Sequence, residues 1–154
     1  MATYDYYNVG SGWKYRLNEL ETYGAGRTGV YDLNEDLVSS PATPDNNLSN
    51  LRFEITDHLG SVRAVVKGVK KTNGDADIVA LTDYHEFGMA MRLRSFANYR
   101  YGYQGSEKES GVAGMYTTDF RMLDVRIGRW FMSDPIFDPS VSPYSSMDNN
   151  PIAL

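Results

Sequence analysis

The chain has 154 residues, 42% hydrophobic and 23% charged, which suits one globular segment or one piece of a larger protein. A net charge of −5 offers no electrostatic reason to bind a polyanion such as DNA, and the lack of Cys excludes disulfides, Cys nucleophiles and Cys-ligated zinc. No apolar run is long enough to span a bilayer, and Met1-Ala-Thr-Tyr-Asp has neither the basic start nor the apolar stretch of a signal peptide. The outlying number is aromatic: 12 Tyr, 6 Phe and 2 Trp. Such rings suit pleated, half-buried surfaces, so the composition points to sheet.

In chain order, Tyr4 to Gly12 reads as a strand entering a Gly-rich turn. Lys14 to Tyr23 alternates loosely and fits a strand or a short helix. A glycine turn follows at Tyr23-Gly-Ala-Gly-Arg-Thr-Gly-Val-Tyr31. Residues 32–50 hold Pro41, Pro44 and several Ser and Asn, the composition of an exposed loop. Leu51 to Lys70 is the clearest hairpin, turning at Asp57-His-Leu-Gly60. Phe53 and Ile55 share one face of it, as do Val62 and Ala64 on the return strand, and burial of that apolar face is expected. Lys70 to Asp77 is a polar turn around Asn73-Gly74, a hairpin dipeptide. Ile78 to Tyr84 is a strand, and Met89 to Asn98 is ambiguous.

Alternation through Tyr99, Tyr101 and Tyr103 predicts a strand, and it resumes from Tyr116 to Met132. Phe120-x-x-x-Asp124-x-x-x-Gly128 repeats an aromatic–Asp–Gly unit seen earlier as Phe53-x-x-x-Asp57-x-x-Gly60. Asp and Gly tolerate the backbone conformations of tight turns, so both units predict hairpins. Near the C-terminus, Ser142 before Pro143 predicts one short helical turn. No long segment of period 3.6 occurs, so the fold expected is mostly β: antiparallel hairpin repeats in a curved sheet.

These segments resemble a known family. Phe53-Glu-Ile-Thr-Asp-His-Leu-Gly-Ser-Val-Arg63, Asp83-Tyr-His-Glu-Phe-Gly88, Tyr99-Arg-Tyr-Gly-Tyr-Gln-Gly105, Leu123-Asp-Val-Arg-Ile-Gly-Arg-Trp-Phe131, Ser133-Asp-Pro135 and Ser142-Pro-Tyr-Ser-Ser-Met-Asp-Asn-Asn-Pro-Ile152 are similar to the RHS/YD-repeat family. Specifically, they resemble the RHS-associated core that closes the repeat array, over Tyr23 to Ile152. The resemblance implies part of a β-strand shell that encloses or presents a C-terminal toxin or other effector. It also implies a secreted or cell-surface bacterial protein. The partners implied are the rest of the shell, met through sheet edges, the enclosed effector and secretion machinery. Residues 1–154 then form a single core segment, with a loop over 32–50 and a terminal motif over 116–154. Both ends read as cut, as in a fragment of a longer protein.

Asp134 is the candidate catalytic residue. Some RHS-like proteins release their cargo by aspartyl self-cleavage at an Asp-Pro pair, matched here by Asp134-Pro135. Two carboxyl groups sharing a proton supply a base and an acid. The second Asp-Pro would fall past Leu154, and Phe137 stands where the family has Gly. Asp138-Pro139 is too near to be the partner, and Asp148 precedes Asn. Asp124 reads as a turn former, with Arg126 and Arg129 on the polar face.

Other patterns carry less. Gly24-x-Gly26-x-x-Gly29 matches a dinucleotide fingerprint, but a helix must follow and Val30-Tyr-Asp-Leu-Asn-Glu-Asp leads into a loop instead; a hairpin turn is expected. Asn73-x-Asp75-x-Asp77 lacks the Gly and Glu of a calcium loop and reads as an acidic turn. His58 and His85 sit in turns without a nucleophile elbow, and no metal site or cofactor is implied. Tyr6, Tyr7, Tyr99, Tyr101 and Tyr103 make a second alternative, a surface or glycan-binding module, against a plain covering of the sheet. Asn47-Leu-Ser49 is a glycosylation sequon by pattern only.

Overall fold

The computed structural model describes residues 2–8, 13–36, 48–97, 99–109, 111–136 and 138–151. Among them eleven strands form: β1 (Ala2–Asn8), β2 (Trp13–Tyr23), β3 (Arg27–Asp36), β4 (Leu51–Thr56), β5 (Val62–Lys67), β6 (Ile78–Tyr84), β7 (Ala90–Phe96), β8 (Glu107–Lys108), β9 (Met115–Thr117), β10 (Met122–Asp124) and β11 (Arg129–Trp130). The fold is mostly antiparallel β, and helix is limited to short 3-10 turns. The chain divides into two compact units, Met1–Ile55 with Val65–Val79, and Thr56–Ala64 with Ala80–Leu154. The division runs through β5 and β6, which contribute to both.

In the first unit β1, β2, β3 and β4 pair in chain order. Lys14 to Tyr23 is therefore strand, and Arg16, Leu17, Glu19 and Leu20 are paired with β1 on one side and β3 on the other. The glycine pattern is a hairpin turn: Gly24 N–H donates to Gly26 O at 2.8 Å, and β3 follows with no helix. Gly29 is required by close strand approach, because a β-carbon there would lie 1.9 Å from the carbonyl oxygen of Arg52. The hairpin turn expected at these glycines therefore forms. The strand also outlasts its expected end at residue 32, since Glu35 still pairs with Leu17; residues 37–47, including Asn47 of the sequon, lie outside the described residues.

The hairpin over 51–70 forms as expected, but its burial is inverted. Phe53 and Ile55 share a face and are 42% and 52% exposed, whereas the Glu54 side chain is 1% exposed against Arg27. Arg27 Nε reaches Glu54 Oε1 at 3.0 Å and Oε2 at 3.2 Å, so a buried ion pair occupies the covered face. On β5 the buried positions are Val62 and Val65, while Ala64 is half-buried and does not share Val62's burial. Lys70 to Asp77 forms the expected turn: Gly74 N–H donates to Lys71 O, Asp75 N–H donates to Asn73 Oδ1 at 3.1 Å, and Asp77 pairs with Lys67.

In the second unit β6 pairs with β7, which resolves the ambiguous Met89 to Asn98 as strand over Ala90–Phe96. A separate sheet has the order β11-β10-β9-β8. Its core is Tyr103, Tyr116, Leu123 and Val125, with Tyr84, Trp130 and Met147 packed against it. The strand expected over Tyr99 to Tyr103 does not form. All three rings are buried, yet Tyr101 makes only an isolated bridge to Glu107, and Tyr103–Gly105 is a 3-10 turn with Gln104 at φ 49. The backbone turns here because Gly102 donates to Ser106 and accepts from Val62.

Among the described residues the 3-10 turns are Leu48–Asn50, Glu86–Gly88, Tyr103–Gly105 and Met147–Asn149. Only the last lies near the C-terminus. Ser142 does not cap it: Ser142 accepts from Tyr144 and Ser145 to close a separate turn. Met147, Asp148 and Asn149 all have left-handed φ, 52, 49 and 60. Tyr103 holds this loop by donating to Met147 Sδ at 3.4 Å.

Candidate functional site

The repeated aromatic–Asp–Gly units are self-capped turns. Asp57 Oδ1 accepts from Leu59 N–H at 3.0 Å and Ser61 N–H at 2.9 Å, and Gly60 takes φ 78. Asp124 Oδ1 accepts from Arg126 N–H at 3.0 Å, its Oδ2 meets Arg126 Nη2 at 2.6 Å, and Gly128 takes φ 63. The Arg126 guanidinium, helped by its backbone N–H, holds the Asp124 carboxyl below the usual carboxylate range. Asp124 is thus the turn former expected between β10 and β11, with Asp124 paired to Arg129 in register. Elsewhere in the second unit Asp83, on β6, bridges Arg63 and Arg94.

Three glycines of the second unit lie under aromatic rings. A β-carbon at Gly88 would sit 2.3 Å from Tyr103, one at Gly102 2.6 Å from Tyr116, and one at Gly128 2.8 Å from Phe87. The glycines therefore serve packing as well as turning: each lets a ring lie flat on bare backbone. Phe120, the aromatic opening the second unit, is 79% exposed and is not among these rings.

Asp134 sits after β11 with its carboxylate ordered on both oxygens. Oδ1 accepts from Ile136 N–H at 2.9 Å, a bond that loops over Pro135, and Oδ2 meets Arg121 Nη1 at 2.5 Å. Its own N–H donates to Pro143 O at 2.7 Å. The Arg121 guanidinium also lies 4.3 Å from the centre of the Trp130 ring, which fixes it in place. Nothing in the sequence marked Arg121, since the contact closes across thirteen residues. The structure brings no other carboxyl into hydrogen bonding with Asp134 among the described residues. Asp138 caps its own turn by accepting from Ser140, whose hydroxyl and N–H hold its carboxyl below the usual range. Asp148 lies exposed in the left-handed turn.

Neither His is drawn into chemistry by its neighbours: both side chains are exposed, and His85 contributes its backbone N–H to Met89 O. Among the described residues no three His, Asp or Glu side chains cluster as metal ligands would. Of the five tyrosines weighed as a sugar-binding face, Tyr99, Tyr101 and Tyr103 are core residues, while Tyr6 is exposed. That corrects the idea of one shared face, because burial of aromatic area in the second unit outweighs its display. Lys108 was missed. Between Glu107 and Glu109 it reads as a solvated charge run, whereas its stem lies along Gly102 and burial lowers its pKa.

The fold is one that solved structures of much longer chains share. The crystal structure of TcdB2-TccC3 matches with a TM-score of 0.67 at 21% identity, covering 99% of this chain and 7% of that one. TcdB2-TccC3-TEV matches at 0.62 and 21% identity, also over 99% of this chain and 7% of its own. TcdB2-TccC3-Cdc42 matches at 0.56 and 18% identity, over 100% and 8%. Among curated proteins, Salivary gland surface protein 1 of Aedes aegypti is 31% identical over 102 residues, 64% of this chain and 3% of that protein. No protein-family model matches the chain. The chain thus corresponds to a small fraction of each relative. Among the described residues no helix is long and apolar enough to cross a membrane.

Proposed function

We propose that this chain is the RHS-associated core segment of a YD-repeat shell that encloses or presents a C-terminal toxin or effector. The observation that carries this reading is the match of 99% of the chain to 7% of a far longer folded chain. A sheet meander whose turns are capped by their own Asp side chains is suited to such a role, because each hairpin is specified locally while the ladder passes from one to the next. The first unit leaves Tyr4, Tyr6, Phe53 and Ile55 exposed, apolar area that further shell or cargo would cover. The mechanism is sequestration, in a secreted or cell-surface bacterial protein whose partners are the remaining shell, the cargo and secretion machinery. Limited proteolysis of the full polypeptide, with and without residues 1–154, tests it. The expected result is protection of the C-terminal cargo that is lost on deletion; equal digestion of both forms defeats the reading.

A second reading rests on Asp134. That reading, aspartyl self-cleavage at Asp134-Pro135 with a second carboxyl as partner, is supported by a carboxylate held by Arg121 and looped over Pro135. In the full polypeptide, Asp134→Asn is expected to leave a single uncut band where the wild type gives two. A wild type that stays whole, or a variant that breaks equally, removes this role.

A further inference from the structure

The second unit holds a cleft of about 790 Å³ that neither sequestration nor Asp134 explains. One wall comes from the start of β7 and another from residues 108–109 and 111–116. Its apolar lining includes Met89, Ala90, Met115 and Val125, and two cations, Arg92 and Lys108, stand over it. Among the described residues neither cation forms an ion pair. The other charges nearby are engaged: Arg126 is bound to Asp124, and Glu109 accepts from the Thr117 hydroxyl at 2.9 Å. His85 completes the rim, with its backbone tied to Met89.

We propose that this cleft binds an acidic, extended polypeptide segment, its carboxylates meeting Lys108 and Arg92 and its apolar side chains meeting Met89 and Met115. Charge complementarity selects the occupant. The Lys108 stem lies beside Gly102, and its part-buried amine, without a carboxylate among the described residues, pays a desolvation cost that an anionic partner relieves. The geometry favours a chain over a small anion, because β7, whose start lines the cleft, is the last strand in the order of its sheet among the described residues. The volume lies within the range of about 300–1,000 Å³ in which ligand sites fall. The proposal does not depend on the shell reading.

The test is fluorescence anisotropy with a short labelled peptide alternating Val and Glu, capped at both ends, against the intact chain. Saturable binding is expected, weakened about tenfold or more by Lys108→Met and by Arg92→Gln. The same peptide with Gln or Lys for Glu is expected to bind at least about tenfold more weakly. Lys108→Met removes an unpaired amine, so its urea midpoint should not fall; should it fail to fold, Arg92→Gln at an exposed position decides alone. Failure of the Glu peptide to bind, equal binding of the Gln peptide, or unchanged affinity in the folded variants overturns the proposal. Displacement by octanoate as effectively as by unlabelled peptide overturns the polypeptide assignment and leaves a small-anion site.

Discussion

The ring of Tyr103 lies directly on the backbone of Gly88, so closely that a β-carbon there would stand 2.3 Å from its Cγ and 2.5 Å from its Cδ1. Gly88 also takes φ 91, a conformation that L residues adopt at a cost of ~1–2 kcal/mol. Gly88→Ala therefore combines backbone strain with overpacking of the Tyr103–Tyr116–Leu123 core, a loss of about 2–5 kcal/mol. Gly60 in the same unit takes φ 78 with nothing within 4 Å, so Gly60→Ala should lose only the strain, ~1–2 kcal/mol. Urea midpoints of the two variants check the difference, and equal losses would show that the ring contact carries no energy.

Asp124 links pH to stability. Its carboxyl, held below the usual range by Arg126, favours the ionised form in the folded state. The stabilisation is present above the unfolded value of about 3.9 and is lost as pH falls through the lowered folded value. Asp124→Asn keeps the shape but weakens the charge-assisted cap, with an expected loss of about 1–2 kcal/mol at neutral pH. Arg126 is 55% exposed, so its ion pair adds little beyond the cap itself. Unfolding free energies measured from pH 7 down to 3 should converge for wild type and variant; curves that stay parallel count against the role.

The tyrosine core acts in the opposite direction on the pH scale. Burial pushes Tyr84, Tyr103 and Tyr116 above the ordinary phenol value, and Tyr84 donates its hydroxyl hydrogen to Val62 O at 2.8 Å. The folded state therefore favours the protonated form. Its contribution is complete below about pH 10 and is lost as pH rises through the raised values. Ultraviolet titration of phenolate should show a delayed group that ionises with unfolding. Tyr84→Phe should shrink the delayed group by one.

Arg27 and Glu54 form the buried ion pair of the first unit, with side chains 15% and 1% exposed. Arg27→Met leaves Glu54 buried without its guanidinium partner, at an expected cost of about 3–5 kcal/mol. Arg27→Met with Glu54→Leu should recover most of that, because apolar pairs of similar volume replace buried ions without great loss. A double-mutant cycle read by chemical denaturation measures the coupling, and strictly additive losses would deny it.

What the sequence determined by itself was the set of hairpins. Asp57 with Gly60, Asn73 with Gly74, and Asp124 with Gly128 each satisfy their own backbone within five residues, so residue type and spacing suffice to place the turns. Tertiary structure alone decided which face of each strand is covered. Phe53 and Ile55 lie exposed while Glu54 is buried, because Arg27, twenty-seven residues away, supplies the compensating charge. The same holds for Tyr99, Tyr101 and Tyr103, which alternate like a strand but are all buried, Tyr103 against Gly88 and Tyr116. Asp134 was visible as a residue, and its partner Arg121 was not. Short-range hydrogen bonds leave a pattern in the sequence; burial depends on which distant groups meet, and no local spacing records that.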